Sequence, residues 1–133
     1  IRTGNFHRQY QARVWGQPVA SSGSIDLPIG RHPEQPKLIT TDPKGIWGKA
    51  ALTHYRLLES SGESSLLELE PKTGRTHQIR IHLLAIGHGI VGDSRYIQAG
   101  KIPSGRLCLH ASQLELQHPI NGQKMGFTAA ANF

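Results

Sequence analysis

The stretch PKTGRTHQIRIHLLAIGHGIVGDSRY, residues 71–96, carries the clearest structural signal in the chain. Ile79, Leu83 and Ile86 recur at the spacing of one face of an α-helix. Gly87 then follows at a position where helices commonly end. This stretch therefore predicts one amphipathic helix between two glycine-rich turns.

The turn before this helix is basic. Thr73 and Thr76 can each offer a hydroxyl oxygen to the unpaired amides of the first turn, so we expect one of them to act as the N-cap. Arg75, His77 and Arg80 cluster at the same end, where a helix also carries partial positive charge. The sequence therefore predicts an anion site here, for a phosphate or a carboxylate.

Upstream of the turn, short alternating segments predict β-structure. Residues 9–14 are rich in strand formers, and residues 25–29 alternate around Pro28, which favours an edge strand. Residues 30–48 hold three prolines and three glycines among polar residues, and we expect a long loop there.

Two hairpins are predicted in the remaining sequence. Residues 50–58 and 64–69 form the first, and the second leads from residues 106–118 through Asn121-Gly122 to residues 123–130. With six or seven strands and one helix, the fold class is α+β, a mostly antiparallel mixed sheet with packed helices.

Composition bounds the class of protein. A chain of 133 residues suits one domain, and its single cysteine, Cys108, excludes an internal disulfide and favours a cytoplasmic protein. No apolar run approaches the roughly 20 residues of a membrane span. The net charge of +6 favours a polyanionic partner, because each neutralised phosphate releases counterions.

Several short motifs together resemble the signature of the RluA-type pseudouridine synthases. The central one is TGRTHQIRIH at residues 73–82, followed by Gly87-His88 and Gly92-Asp93. Other matching pieces occur in order along the chain: YQARV at 10–14, GKAALTHY at 48–55, LHA at 109–111 and HP at 118–119. The resemblance implies the pseudouridine synthase fold and an isomerase that converts uridine to pseudouridine in rRNA or tRNA, with no cofactor.

The resemblance also implies a catalytic aspartate in an HRLD-type motif upstream of the Tyr10 segment. The chain has three aspartates, none in such a context: Asp26, Asp42 and Asp93. Because the chain also opens on Ile1, we expect residues 1–133 to be the C-terminal portion of one catalytic domain, incomplete on its N-terminal side and inactive alone.

Two residues are the candidate catalytic groups. In the family the residue matching Arg75 pairs with the catalytic aspartate, and a guanidinium suits that role because it can hold a carboxylate in two parallel hydrogen bonds. The residue matching Tyr10 lies beside the flipped base. The alternatives are a surface arginine and a cross-strand packing tyrosine. If the roles hold, Tyr10 and Arg75 should face one cleft.

Further basic residues are candidates for RNA contacts, although each alone is more often a solvated surface charge. They are Lys49, Lys72, His77, Arg80, Arg95 and Arg106. His77 and His82 lie five positions apart, whereas helical zinc pairs lie four apart around a glutamate, so we predict no metal. Asp93 is expected to tie its own turn to a neighbouring amide or arginine.

Two other functions remain open at this stage. An RNA-binding module without catalysis is consistent with the missing aspartate. An unrelated α+β domain could instead use the basic turn to bind an acidic protein. Salt dependence of RNA binding separates these two cases.

Overall fold

The structure, a computed structural model, describes residues 7–103, 105–117 and 124–128, with the backbone alone for residues 7, 113–117 and 124–128. The elements in chain order are β1 (His7–Trp15), β2 (Ser22–Asp26), β3 (Ile29–His32), β4 (Gln35–Thr41), β5 (Leu52–Ser61), β6 (Ser64–Pro71), α1 (Gln78–Ala85), β7 (Leu109–Gln117) and β8 (Lys124–Thr128).

Six of the strands form one antiparallel sheet in the order β2-β5-β6-β1-β7-β8. The central pair is β1 and β6, in which Tyr10 lies opposite Leu69. The predicted α+β class and both predicted hairpins are confirmed. The Asn121-Gly122 turn and the His118-Pro119 motif lie outside the described residues.

The core lies between this sheet and the single helix of the described residues. Burial alternates strictly along β6, so Leu67 and Leu69 face the helix and are fully buried. Ile79 and Leu83 of α1 belong to the same cluster, as the helical spacing predicted. Burying side chains of this size stabilises the fold by about 1.5–3 kcal/mol each. In the described part of the chain, no helix is long and apolar enough to span a bilayer.

The predicted loop over residues 30–48 is wrong in its first half. Ile29–His32 and Gln35–Thr41 pair as a separate two-stranded sheet, and Arg31 Nη1 donates to the carbonyl oxygen of Pro36 at 3.0 Å. In a two-stranded sheet both strands are edges, so a proline is tolerated where it needs no ladder hydrogen bond. Proline content therefore misled the sequence prediction.

The predicted threonine N-cap is also wrong. The helix starts after His77, which has a left-handed backbone (φ 53°) and makes no side-chain cap. The Thr73 hydroxyl is already engaged, because Oγ1 accepts from the amide of Leu52 at 3.1 Å and donates to Gln78 Oε1 at 2.6 Å. The predicted helix stop is confirmed: Gly87 has φ 85° and its amide donates to the carbonyl oxygen of Leu84.

Candidate active site

A cleft of about 300 Å³ opens where β1, the end of β6 and the basic turn, residues 73–77, come together. Its lining consists of Arg8, Tyr10, Pro71, Thr73, Gly74, Arg75, His77, Gln78, Ile79, Arg80, Leu107 and Leu109. Tyr10 and Arg75, 65 positions apart in the chain, therefore face one cleft, as the sequence predicted. Their catalytic roles stay predictions.

The backbone of the basic turn is held by Gln78, which sequence reasoning missed. Gln78 is buried, and its Oε1 accepts from the amide of Arg75 at 3.1 Å and from Thr73 Oγ1 at 2.6 Å. Its Nε2 donates to the carbonyl oxygen of Leu52 and to Thr53 Oγ1, both at 2.9 Å. The signal was available: Gln78 is an uncharged polar residue directly before the apolar face of the helix.

The same polar network continues into the core through His82. Nε2 of His82 lies 2.9 Å from the carbonyl oxygen of Leu27, so this nitrogen must carry the proton. Nδ1 then accepts from Thr53 Oγ1 at 2.8 Å. Burial lowers the pKa of His82, and the Leu27 carbonyl only partly opposes this. The neutral ring therefore anchors the helix to the sheet.

The guanidinium of Arg75 makes few hydrogen bonds to the part of the chain that the structure describes. Its Nε donates to the carbonyl oxygen of Ala50 at 2.8 Å. Arg8 and Arg80 also line the cleft, and none of the lining side chains that the structure describes is acidic. The cleft is therefore electropositive and suited to an anionic group.

Arg80, by contrast, is neutralised within the chain. Its Nε and Nη2 each lie 2.9 Å from an oxygen of Asp93, whose Oδ1 also accepts from the amides of Arg95 and Tyr96 at 2.9 Å. Burial would raise the pKa of Asp93, but these hydrogen bonds outweigh it and the pKa is lowered. We call Arg80, Asp93, Arg95 and Tyr96 the Asp93 clamp. The structural role predicted for Asp93 is confirmed.

His77 lies between the cleft and the clamp. Its Nδ1 is 2.9 Å from the hydroxyl of Tyr96, and the two rings pack edge to face with centroids 5.6 Å apart. Burial lowers the pKa of His77, and the neighbouring Arg80 and Arg95 lower it further against the opposing effect of Asp93. A neutral imidazole beside the cleft can donate or accept one hydrogen bond.

The structure disperses the six predicted RNA contacts. His77 and Arg80 line the cleft, whereas Lys49 lines a neighbouring cavity. Lys72, Arg95 and Arg106 line neither: Lys72 pairs with Glu70 at 3.3 Å, and the Arg95 guanidinium carbon lies 5.6 Å from the centre of the Tyr96 ring. Their contacts with RNA stay predictions. Among the described residues no cluster of His, Cys, Asp and Glu suits a metal ion.

Comparison with known proteins gives a consistent result. The profile of the family described as RNA pseudouridylate synthase matches residues 1–85. The dual-specificity RNA pseudouridine synthase RluA of Escherichia coli strain K12 is 41% identical over 129 residues, which cover 95% of this chain and 58% of that protein. The ribosomal large subunit pseudouridine synthase D of Vibrio cholerae is 39% identical over 135 residues, 92% of this chain and 40% of that protein.

The fold is shared with a human protein of known structure. Human RNA pseudouridylate synthase domain containing 1 superposes with a TM-score of 0.81 at 27% identity, over 95% of this chain and 55% of that one. The chain thus spans roughly two fifths to three fifths of the length of these three proteins.

Proposed function

The chain belongs to the RNA pseudouridylate synthase family, and from that premise we propose that the whole protein isomerises uridine to pseudouridine in rRNA or tRNA. The observation that supports this most strongly is the shared cleft, because residues matching the family's Arg and Tyr lie on separate elements and both line it. The name of the Vibrio relative refers to the large ribosomal subunit, and that of the Escherichia coli relative to dual specificity.

Arg75 is proposed to orient the catalytic aspartate. Its terminal nitrogens have no carboxylate partner among the described residues, whereas Nε is fixed to Ala50 and the Arg75 amide to Gln78. A guanidinium held in this way can meet a carboxylate in two parallel hydrogen bonds and keep it ionised. Tyr10 is proposed to lie against the face or edge of the target uracil.

The RNA would deliver its uridine to the cleft as an extruded base. Enzymes that perform chemistry on a base must take it out of the stack, and the unstacked base then packs against aromatic and apolar side chains. Such surfaces are supplied by apolar and aromatic side chains of the lining, namely Tyr10, Ile79, Leu107 and Leu109. A cytoplasmic location also remains a prediction.

The aspartates of this chain do not supply the missing carboxylate. Asp42 accepts from the amides of Trp47 and Gly48 at 2.6 and 2.8 Å, and Asp93 is occupied by Arg80. Asp26 is exposed on the edge strand β2. We therefore propose that the 133-residue chain alone does not isomerise uridine, and RNA binding without catalysis is the activity expected of it in isolation.

Release of hydrogen from carbon 5 of labelled uridine tests the proposal, because carbon 5 loses its hydrogen when it bonds to the sugar. The complete protein should release label from rRNA or tRNA transcripts, and the isolated chain should not. No release by the complete protein from either RNA would overturn the proposed function. Release by the isolated chain would show that the carboxylate has been misplaced.

RNA binding by the isolated chain separates the remaining alternatives. Binding should weaken steeply as salt rises, since phosphate contacts release counterions. If the chain does not bind RNA at low salt but binds an acidic protein, the protein-interaction alternative would be favoured instead.

A further inference from the structure

A second cavity, of about 430 Å³, adjoins the cleft and shares Gly74 and Arg75 with it. We call it the Trp47 cavity. Its lining consists of Ile29, Gly30, Arg31, Ile39, Trp47, Lys49, Gly74, Arg75 and Thr76. The small sheet of β3 and β4 forms one wall and the basic turn another. Because the two cavities share Gly74 and Arg75, a group bound in one would lie next to a group bound in the other.

The Trp47 side of the cavity is fixed by backbone contacts. Asp42 Oδ2 accepts from the amides of Trp47 and Gly48 at 2.6 and 2.8 Å, and Ile29 and Lys49 exchange both of their backbone hydrogen bonds at 2.9 Å. A Cβ added at Gly48 would lie 3.1 Å from the amide nitrogen of Ile29, so glycine allows this close approach. The loop is therefore preorganised, which lowers the entropic cost of binding.

The charge on Asp42 keeps this loop in place near neutral pH. Burial alone would raise the pKa of Asp42, but hydrogen bonds from backbone amides, including those of Gly48 and Trp47, outweigh burial and the pKa is lowered. The carboxylate is therefore ionised under ordinary conditions. A charged acceptor therefore holds the backbone amides of Trp47 and Gly48.

The chemistry of the lining combines an aromatic ring with cations. Trp47 is half-buried, and the ring of His32 packs against it with centroids 5.5 Å apart. Arg31 and Lys49 are exposed, and the lining contains no acidic side chain among the described residues. Because Arg75 serves the aspartate in the proposed mechanism, Arg31 and Lys49 are the charges left for a ligand.

We propose that the Trp47 cavity binds an unpaired nucleotide of the substrate RNA next to the uridine in the cleft, with its base on Trp47 and its phosphate at Arg31 and Lys49. The inference rests on the proposed function and deepens it. Single-stranded RNA is recognised by this pairing of aromatic stacking with cations along the backbone. An acidic peptide would satisfy the cations and leave the indole face without a role.

Tryptophan fluorescence offers a direct test, because Trp15 and Trp47 are the two tryptophans of the chain. The probe is a 12-nucleotide oligouridylate added to the full 133-residue chain. Stacking on Trp47 should quench the emission of the unmodified chain and of a Trp15→Phe variant, and leave that of Trp47→Phe unchanged. Heparin, a polyanion without bases, should bind without this quenching.

Affinity variants give a second measurement. Trp47→Ala should weaken binding of the oligouridylate roughly 5- to 150-fold, the range expected for loss of one stacked base. Lys49→Ala should lower the slope of log affinity against log salt by about 1. Lys44→Ala is the matched control, since Lys44 is exposed in the same loop but does not line the cavity, and its slope should match that of the unmodified chain.

Quenching that survives in Trp47→Phe, equal quenching by heparin, or equal salt slopes for the two lysine variants would each overturn the inference. Failure here is distinct from failure of the proposed function. If the complete protein releases label but Trp47 emission is not quenched, only the nucleotide site in the Trp47 cavity is rejected. A Trp47 response without label release rejects the isomerase and leaves a nucleotide site.

Discussion

The basic turn and the Asp93 clamp each hold an arginine at the cleft, but among the residues that the structure describes only the clamp supplies that arginine with a carboxylate. Arg80 meets Asp93 through two hydrogen bonds of 2.9 Å, whereas Arg75 uses Nε on a backbone carbonyl. The two residues are five positions apart in one motif. A charge satisfied within the chain stabilises the fold, and one without an internal carboxylate is available to a partner.

The two regions also differ in what fixes their backbones. A charged group holds the clamp together, because the Asp93 carboxylate accepts hydrogen bonds from two backbone amides and from the Arg80 guanidinium. The basic turn is organised by a neutral amide, Gln78, together with the hydroxyl of Thr73. Changes to the charge of Arg75 should therefore leave the turn folded, while changes to the charge of Asp93 should not leave the clamp intact.

The largest expected effect is on the clamp. Asp93→Ala leaves Arg80 and two amides without their acceptor, and because the Asp93 side chain is only 1% exposed we expect a loss of roughly 3–5 kcal/mol in the free energy of unfolding. Urea denaturation measures it. The control is Glu59→Ala, which removes an ion pair of equal length whose carboxylate is 60% exposed, and should cost less than about 1 kcal/mol. Equal losses in the two variants would remove the distinction between clamp and surface pair.

An intermediate effect is expected at the amide that holds the basic turn. Gln78→Met keeps the volume but leaves the amide of Arg75 and the hydroxyl of Thr73 without an acceptor, which should cost about 1–3 kcal/mol. Gln17→Met is the matched control, because Gln17 is exposed and makes one hydrogen bond, to Ser60. Similar urea midpoints for both variants would show that Gln78 does not organise the turn.

The smallest expected effect is a dependence of stability on pH. His82 is held neutral with its pKa lowered below 6.5, so the unfolded chain takes up the proton first. The contribution of the neutral His82 ring to the free energy of unfolding is complete above pH 6.5. It is lost as the pH falls towards the pKa of His82 in the folded chain. Between pH 7.5 and 5 the unfolding free energy should therefore decline less in His82→Gln than in the unmodified chain. An identical decline in both would contradict the assignment of a neutral, buried ring.

Much of the fold was predictable, because the spacing of apolar residues along the sequence matches the faces that are buried in the structure. The alternation of β6 and the helical spacing of Ile79 and Leu83 each match a buried face. The strands β3 and β4 were missed because neither segment shows a clear strand pattern by itself, and the pairing between them cannot be inferred from either segment alone. Residue preferences also predicted a threonine as the N-cap. In the structure the Thr73 hydroxyl instead donates a hydrogen bond to Gln78 Oε1.

The cleft was predictable only in part. The motif placed Arg75 and Tyr10 together, and both line the cleft. The division of labour between Arg75 and Arg80 could not be predicted, because it depends on Asp93 folding back over the helix from thirteen positions away. The Trp47 cavity was missed for a similar reason. Its walls come from four segments of the chain, and three of them lie wholly or partly in the stretch predicted as a loop.

The contrast between the two arginines is tested most directly by replacing each with lysine in the complete protein. Arg75→Lys should reduce release of label from uridine carbon 5 roughly 10²- to 10³-fold, because a point charge does not align a carboxylate in two parallel hydrogen bonds. Its unfolding free energy should change by less than about 1 kcal/mol, and by less than that of Arg80→Lys. Near-normal label release by Arg75→Lys, or a loss of stability matching that of Arg80→Lys, would contradict the account.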